Sequence, residues 1–263
     1  MIEERENRAE MEKEVQENWN RLKEFEERFT GELNLLSIKL QKNQIEQFYK
    51  YFELLIKWNE VMNLTAITEM DQVITKHFAD SLSIVKVVED IGTKDYKVLD
   101  LGTGAGFPGL PLKIAFPQLK ITLMDSLNKR LKFLEEVIGQ LGLEKIEVVH
   151  SRAEDAGKDI KYRERYHICV SRAVANLSTL SEYCIPFVQP GGYFIPYKSG
   201  KVQQEIEEAK NAIFLLGGKI HGVTEFMLPG TDAERALVQI EKVSNTSKKY
   251  PRKAGMPGKE PLK

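Results

Sequence analysis

The fold is decided by residues 98–109, which read Val98-Leu-Asp-Leu-Gly-Thr-Gly-Ala-Gly-Phe-Pro-Gly109. An apolar run breaks there into glycines and then continues as an apolar helical pattern, which predicts a strand, a tight loop and a helix. Gly102, Gly104 and Gly106 allow the backbone to take positive φ and to approach a ligand closely. The free N–H groups of the helix that opens at Pro108 point toward the same place. The loop therefore predicts a binding site for a nucleotide-like cofactor.

Downstream of this loop, apolar runs alternate with helical patterns. Five strands are predicted, at Lys97–Leu101, Lys120–Asp125, Lys145–His150, Tyr166–Val170 and Gly192–Tyr197. Helices are predicted between them, at Leu110–Phe116, Ser126–Leu141, Asn176–Phe187 and Val202–Leu216. This alternation is typical of a parallel, doubly wound α/β sheet. Two last strands, Lys219–Leu228 and Arg235–Val243, follow each other without a helix, which predicts an antiparallel hairpin at the sheet edge.

Other segments flank the predicted sheet, which occupies residues 93–247. Residues 1–32 are highly charged and carry a narrow apolar stripe, which predicts a helical extension, and residues 33–92 predict a small helical subdomain. The wider stripe of that subdomain includes His77, which we interpret as a packing residue or a site residue. Residues 248–263 hold six basic residues and one acidic residue among prolines and glycines, which predicts an irregular basic arm that could bind RNA. The alternative is that this tail packs on the body and only stabilises it.

Composition excludes several classes of protein. Of the 263 residues, 42% are hydrophobic and 29% are charged, as in ordinary globular proteins. The two cysteines, Cys169 and Cys184, lack metal-ligand spacing, so we expect free thiols in a reducing compartment and no metal site. The sequence shows neither a signal peptide nor a long apolar run. We therefore expect a cytoplasmic protein that does not bind membranes.

The residues leave two cofactor classes to compare. Residues 104–109 match the dinucleotide fingerprint, and Asp125 ends the second strand where an acid binds a ribose, so a dehydrogenase is a real competitor. The same acid would serve the ribose of S-adenosylmethionine equally well. Glu154 follows the third strand and suits the exocyclic amine of adenine, and Asp100 could meet the amino group of the methionine part. The three acids together favour S-adenosylmethionine.

The chain also resembles a known family through several motifs taken together. They are Asp100-Leu-Gly-Thr-Gly-Ala-Gly-Phe-Pro-Gly109, Asp125-Ser-Leu-Asn-Lys-Arg130, Ser151-Arg-Ala-Glu154, Ser171-Arg-Ala-Val-Ala175, Asn63-Leu-Thr-Ala-Ile, His77-Phe-Ala-Asp-Ser-Leu82 and the Lys-Lys-Tyr-Pro-Arg-Lys tail. In combination these motifs are similar to those of the bacterial small-subunit (16S) rRNA (guanine-N7) methyltransferase G family, also called glucose-inhibited division protein B. The resemblance covers roughly residues 35–263.

This resemblance implies a class I S-adenosylmethionine-dependent methyltransferase fold, with a Rossmann-like doubly wound sheet, an antiparallel last strand and N-terminal helices. It implies S-adenosylmethionine as the cofactor and N7 of one guanine in 16S rRNA, or in a small ribosomal subunit precursor, as the target. We expect a monomer.

The resemblance also implies site residues. By position in the family, Gly102 and Phe107 would line the cofactor, Ala153 and Glu154 its adenine, and Arg172 the place where cofactor and target base meet. Gly104, Gly106 and Asp125, from the loop and the strand end, complete the predicted cofactor site.

The chemistry of guanine N7 makes few demands on the protein. N7 has an in-plane lone pair and no proton, so its methylation needs no general base, and Arg172 is a candidate for positioning. Lys129, Arg130 and Lys198 follow the second and fifth strands at the edge where ligands bind, and we expect them to contact RNA. Solvated surface charge is the alternative for each. A non-enzymatic RNA-binding protein on the same fold remains a further alternative.

Overall fold

Seven strands form one sheet, and each begins within four residues of the start of a predicted apolar run. The strands are β1 (Lys97–Leu101), β2 (Lys120–Asp125), β3 (Ile146–His150), β4 (Tyr166–Ser171), β5 (Val188–Ser199), β6 (Gly218–Met227) and β7 (Glu234–Lys242). This computed structural model describes residues 2–263, apart from the side chains of residues 2–10, 12 and 14. The strand order is β3-β2-β1-β4-β5-β7-β6.

The direction of the strands identifies the architecture. Strands β1 to β5 pair in parallel, whereas β7 lies antiparallel to both β5 and β6. The final hairpin is therefore present as predicted, and its second strand inserts between β5 and β6. A doubly wound sheet with one reversed last strand confirms the predicted class I methyltransferase fold.

Helices cover both faces of the sheet. They are α5 (Gly109–Ala115), α6 (Asn128–Leu141), α7 (Ala153–Ala156), α8 (Leu177–Cys184) and α9 (Gln203–Leu215). Neighbouring residues of a strand point to opposite faces, so Val98 and Ile168 enter one hydrophobic core while Leu99 and Cys169 enter the other. Because both faces are buried, these strands are nearly continuous apolar runs, which is why the sequence predicts them well.

The N-terminal region is helical, as predicted, but α1 passes through the boundary expected at residue 32. Helix α1 spans Ile2–Leu35 and α2 spans Lys42–Met62. Met11 and Val15 are 66% and 68% exposed, whereas Phe25 and Phe29 are fully buried, in the same hydrophobic core as Val98. The second half of α1 therefore packs with the helical subdomain. Among the helices of residues 2–263, none combines the length and apolar character that crossing a membrane requires.

The next helical segment, residues 70–86, changes its winding three times. It consists of α3 (Met70–Val73), a π-helical turn (Ile74–Ala79), α4 (Asp80–Leu82) and a 3-10 turn (Ser83–Lys86). Single π-helical turns inside helices are often found at functional sites. This one contains His77 and ends directly before Asp80, and both side chains are buried. Sequence periodicity alone did not predict this turn.

The C-terminal segment is mostly irregular, as predicted, but it packs on the body, which was the alternative to a free RNA-binding arm. Helix α10 (Met256–Lys259) lies within it, and Tyr250 is only 6% exposed. The physical reason is Glu182 of α8, which is fully buried and needs a charged partner. Arg252 is that partner, with its Nη2 atom 2.7 Å from Oε2 of Glu182.

Candidate active site

A cavity of about 890 Å³ opens at the carboxyl ends of β1 to β4. Most of the predicted site residues line it, namely Gly102, Gly104, Phe107, Asp125, Arg130, Ala153, Glu154 and Arg172. Ligands of doubly wound sheets bind at this edge because the chain reverses its winding there. Among the described side chains, no group of three or more His, Cys, Asp or Glu could hold a metal ion.

The glycine loop is fixed to β2 by hydrogen bonds that its backbone N–H groups donate to a carbonyl and to a carboxylate. The N–H of Gly102 donates to the carbonyl of Met124 at 2.8 Å, and the N–H of Gly104 donates to Oδ2 of Asp125 at 3.0 Å. Gly104 has a φ of +60°, and a Cβ atom built on it would meet nothing within 4 Å. Gly104 therefore presents bare backbone to the cavity.

Gly106 has a different role from its neighbour, because it does not line the cavity. Its φ is +96°, and a Cβ atom there would come within 2.3 Å of Cδ1 of Leu110 and 2.9 Å of the hydroxyl of Tyr51. Tyr51 in turn donates a hydrogen bond to the carbonyl of Ala105. Gly106 thus allows the loop to pack tightly against α2 and α5.

Asp100 lies beneath the loop rather than in the cavity, so the structure differs from the expectation that it meets a ligand amino group. Its side chain is fully buried, and Oδ2 accepts hydrogen bonds from the Thr103 hydroxyl at 2.6 Å and the Gly109 N–H at 2.8 Å. Burial raises the pKa of Asp100 to about 6, although both hydrogen bonds oppose this shift. The carboxyl group therefore holds the two ends of the glycine loop together.

Asp125 joins the glycine loop to the loop after β2. Its Oδ1 atom accepts a hydrogen bond from the N–H of Leu127 at 2.9 Å, and Nη1 of Arg130 lies 3.4 Å from Oδ2. The side chain is 4% exposed but borders the cavity. Asp125 is thus oriented in advance, at the strand end where the sequence predicts a contact with a ribose.

Glu154 borders the cavity on the side of β3, at the start of α7. Its Oε1 atom accepts a hydrogen bond from the backbone N–H of Gly255 at 2.8 Å. Ala153 and Gly255 line the same wall. The sequence predicts Ala153 and Glu154 for this wall, but it offers no local signal for Gly255, which lies 101 residues beyond Glu154.

Phe107 is stacked among three side chains from other elements. The His77 ring lies 4.5 Å from the Phe107 ring with an interplanar angle of 20°, and the Tyr51 ring lies at 5.4 Å. The guanidinium carbon of Arg172 lies 5.1 Å from the centre of the same ring, within the range of a cation–π contact. Phe107 therefore joins the glycine loop to the helical subdomain at the cavity wall.

Arg172 is held by a buried carboxylate that a second arginine shares. Its Nη1 atom lies 3.1 Å from Oδ2 of Asp80, and Nε of Arg235 lies 3.1 Å from Oδ1. Burial raises the pKa of Asp80, and the two guanidinium groups act against that shift. Of the two arginines, Arg172 lines the cavity and Arg235 does not. We call these three side chains the Asp80 cluster.

His77 lines the cavity and remains uncharged at neutral pH. Burial, with a smaller contribution from the nearby Arg172 charge, lowers its pKa to about 3. Its Nε2 atom lies 2.9 Å from the Thr65 hydroxyl, which also borders the cavity. His77 and Thr65 both belong to motifs that resemble the family. Only the structure shows that the two side chains are in contact and line the same wall of the cavity.

The predicted RNA-binding cations are found in three different settings. Lys129 is exposed on α6 near the cavity, and Arg130 lines it. Lys198 lies apart, with its Nζ atom 2.8 Å from Oε1 of Glu205 and 2.8 Å from the carbonyl of Ala175. Its side chain is only 13% exposed. The charge of Lys198 is thus paired within the protein, which argues against the predicted contact with RNA.

Comparison with known proteins assigns the chain to a family. Residues 44–238 match the family model described as rRNA small subunit methyltransferase G. A ribosomal RNA small subunit methyltransferase G of Lachnoclostridium phytofermentans is 55% identical over 89% of this chain and 96% of its own. The protein of the same name from Alkaliphilus metalliredigens is 50% identical over 87% of this chain and 95% of its own.

Among solved structures, a mutant of the protein MtNAS is 12% identical with a TM-score of 0.51, covering 73% of this chain and 71% of its own. At that identity the likeness concerns the fold alone. The match to residues 44–238, together with the two relatives at 50% identity or more, establishes the family. The chain belongs to the rRNA small subunit methyltransferase G family.

Proposed function

We propose that this protein transfers a methyl group from S-adenosylmethionine to N7 of a guanine in 16S rRNA, as free RNA or within a small ribosomal subunit precursor. The observation that carries the proposal is the arrangement of the cavity. Two oriented carboxylates, Asp125 and Glu154, border one part, and an aromatic and cationic wall of Phe107, His77 and Arg172 borders another. The carboxylates thus suit the cofactor, and the aromatic and cationic wall suits the target base.

The residues fit the proposed cofactor in size and in chemistry. A volume of about 890 Å³ is in the range of sites for small cofactors. Gly104 leaves open space above the loop, Asp125 offers oxygen atoms for ribose hydroxyls, and Glu154 offers them for an adenine amine. Bound S-adenosylmethionine would supply an electrophilic methyl group on sulfur. A nicotinamide dinucleotide is the competing ligand, and the second acid, Glu154, favours the methyl donor.

The other wall suits a base that needs alignment and no proton transfer. Guanine N7 attacks with a lone pair and loses no proton, so no general base is required. His77 has a pKa of about 3 and is neutral at pH 7, so it can pack against a base without adding charge. Arg172 is oriented by its ion pair with Asp80, and it can hold the rRNA beside the reacting atoms. We therefore assign it the positioning role.

The test compares the two arginines of the Asp80 cluster. Arg172→Ala and Arg235→Ala each remove one ion pair of 3.1 Å from the same carboxylate, so both should lower stability. Only Arg172 lines the cavity. We expect Arg172→Ala to lower methyl transfer to small subunits lacking the N7 methyl group by at least about 100-fold, and Arg235→Ala by less than about 5-fold.

Methyl transfer is measured with labelled S-adenosylmethionine, and the product is located by the chain cleavage that N7-methylguanine permits. A parallel calorimetric titration compares S-adenosylmethionine with NAD. Equal activity of the two variants would contradict the role of Arg172. Binding of NAD without any binding of S-adenosylmethionine would contradict the proposed reaction as a whole.

A further inference from the structure

The C-terminal segment, residues 248–263, reaches the cavity at Gly255. Gly255 lines the cavity, and its N–H donates a hydrogen bond of 2.8 Å to Oε1 of Glu154. The segment lies beyond residues 44–238, which match the family model. The segment thus forms part of the wall where the sequence predicts adenine, and the contact is made by backbone rather than by one of its many cations.

Buried charges determine the path of the segment toward Gly255. Arg252 binds the carboxylate of Glu182 through Nε at 2.9 Å and Nη2 at 2.7 Å, and its backbone N–H donates to the same group at 2.8 Å. On the other side, Arg163 donates a hydrogen bond of 2.9 Å to the carbonyl of Tyr250. Charge-assisted and bidentate hydrogen bonds of this kind are strong and geometrically specific. The position of Gly255 is therefore well defined.

Tight packing supports the same conclusion on the side of α7. A Cβ atom on Gly157 would come within 3.0 Å of Cγ of Pro251, so the segment lies directly against the end of this short helix. The carbonyl of Pro257 accepts a hydrogen bond from the Thr179 hydroxyl at 3.0 Å. Contacts before and after Gly255 therefore hold it against the helix that carries Glu154.

We propose that Gly255 is a positioning residue for donor binding, an inference that rests on the proposed function. Its N–H holds one carboxylate oxygen of Glu154 and so orients the other, Oε2, toward the exocyclic amine of the donor's adenine. A carboxylate can accept hydrogen bonds at both oxygens, so the two contacts are compatible. The C-terminal segment is then part of the cofactor site, and its removal lowers donor affinity.

The experiment uses the full chain, isothermal calorimetry and two ligands that differ at one group. S-adenosylhomocysteine carries the adenine amine, and S-inosylhomocysteine carries a carbonyl in its place. Gly255→Pro removes the N–H and cannot adopt the observed φ of +79°. We expect it to weaken binding of S-adenosylhomocysteine about 10-fold, since hydrogen bonds to charged groups have this order of effect. Binding of S-inosylhomocysteine should stay as it is in the wild-type protein.

A double-mutant cycle tests whether Gly255 acts through Glu154. Glu154→Gln should also weaken the binding of S-adenosylhomocysteine. Adding Gly255→Pro to Glu154→Gln should cause no further loss of affinity. Gly255→Ala adds backbone strain at a φ of +79°, but it keeps the N–H, and its Cβ would meet nothing within 4 Å. It should therefore retain most of the discrimination between the ligands. A general folding defect would instead weaken both ligands together.

The matched control is Gly230→Pro, at a glycine with a φ of +64° and nothing within 4 Å in the β6–β7 turn. It should bind both ligands like the wild-type protein. Wild-type affinity of Gly255→Pro for S-adenosylhomocysteine, or an equal loss for both ligands, would overturn the inference. Failure of the wild-type protein to bind S-adenosylhomocysteine at all would instead overturn the proposed function.

Discussion

Alanine substitutions at Gly104 and Gly106 should separate cofactor binding from folding, although only one residue lies between them. Both glycines have positive φ, +60° and +96°, so each substitution adds about 1–2 kcal/mol of backbone strain. At Gly106 the new Cβ would lie 2.3 Å from Cδ1 of the fully buried Leu110 and 2.9 Å from the Tyr51 hydroxyl. Overpacking of this kind costs about 1–3 kcal/mol more.

We therefore expect Gly106→Ala to affect mainly stability and Gly104→Ala to affect mainly cofactor binding. Gly106→Ala should be less stable than Gly104→Ala by about 1–3 kcal/mol, a gap in melting temperature of about 2–12 °C for a chain of this size. Gly104→Ala places its methyl group in the cavity and should weaken S-adenosylmethionine binding about 10-fold. Differential scanning calorimetry and titration calorimetry measure the two effects. Equal melting temperatures, or unchanged affinity of Gly104→Ala, would refute the distinction between the two glycines.

Three further predictions concern charge. The pKa of Asp100 is raised from 3.8 to about 6 in the folded protein. The protonated carboxyl group therefore contributes about 3 kcal/mol to the free energy of unfolding below pH 4, and this contribution is lost as the pH rises to 6. Asp100→Asn should remove this dependence in urea titrations at several pH values, and an unchanged slope would contradict it. Because the pKa of His77 is about 3, His77 should add no transition to the rate of methyl transfer between pH 6 and pH 8. A transition that persists in Asp100→Asn but disappears in His77→Gln would show that His77 titrates there. Replacing Lys129 and Arg130 by alanine should reduce the salt dependence of RNA affinity, by a log-log slope of about 0.7 for each phosphate group of single-stranded RNA that the variant no longer binds. Lys198→Ala should leave the salt dependence of RNA affinity unchanged and lower only the stability of the protein. A salt dependence altered as much as in the Lys129 and Arg130 double variant would show that Lys198 contacts RNA after all.

The strands were predictable because their signal is local. Strands β1 to β4 lie within one residue of their predicted bounds, since apolar runs bordered by polar turns mark strands buried on both faces. Strand β5 is longer than predicted, spanning Val188–Ser199. Pro190, Gly191 and Gly192 interrupt the apolar run there, so pattern alone placed the start at Gly192. In this case propensity is overridden by pairing with β4, since Val188 pairs with Tyr166.

The candidate site was predictable only in part, for a similar reason. Position at a strand end indicates Asp125 and Glu154, but it cannot show that Asp100, one residue before the end of β1, points beneath the loop. Lys198 shows the limit of reading charge alone. Its partner Glu205 lies in the first turn of α9, and a cation followed by an acid at that distance could have indicated an internal pair.

Local sequence patterns could not predict the contacts between distant parts of the chain. Gly255 reaches Glu154 across 101 residues, and Arg172 reaches Asp80 across 92 residues. Neither pair has a periodic signal, because each depends on how complete elements pack. The helical periodicity of residues 70–86 likewise hides the π-helical turn that brings His77 to the cavity.

The Asp80 cluster has a consequence for the order in which the protein is made. Asp80 lies before the sheet, Arg172 follows its fourth strand, and Arg235, 155 residues after Asp80, belongs to its last. A chain that has been synthesised only as far as β4 lacks Arg235, the cation that completes the cluster. Closing so long a loop also costs chain entropy that only the finished sheet repays. The Asp80 carboxylate, which holds Arg172 at the cavity wall, therefore has both of its cations only once β7 lies in the sheet.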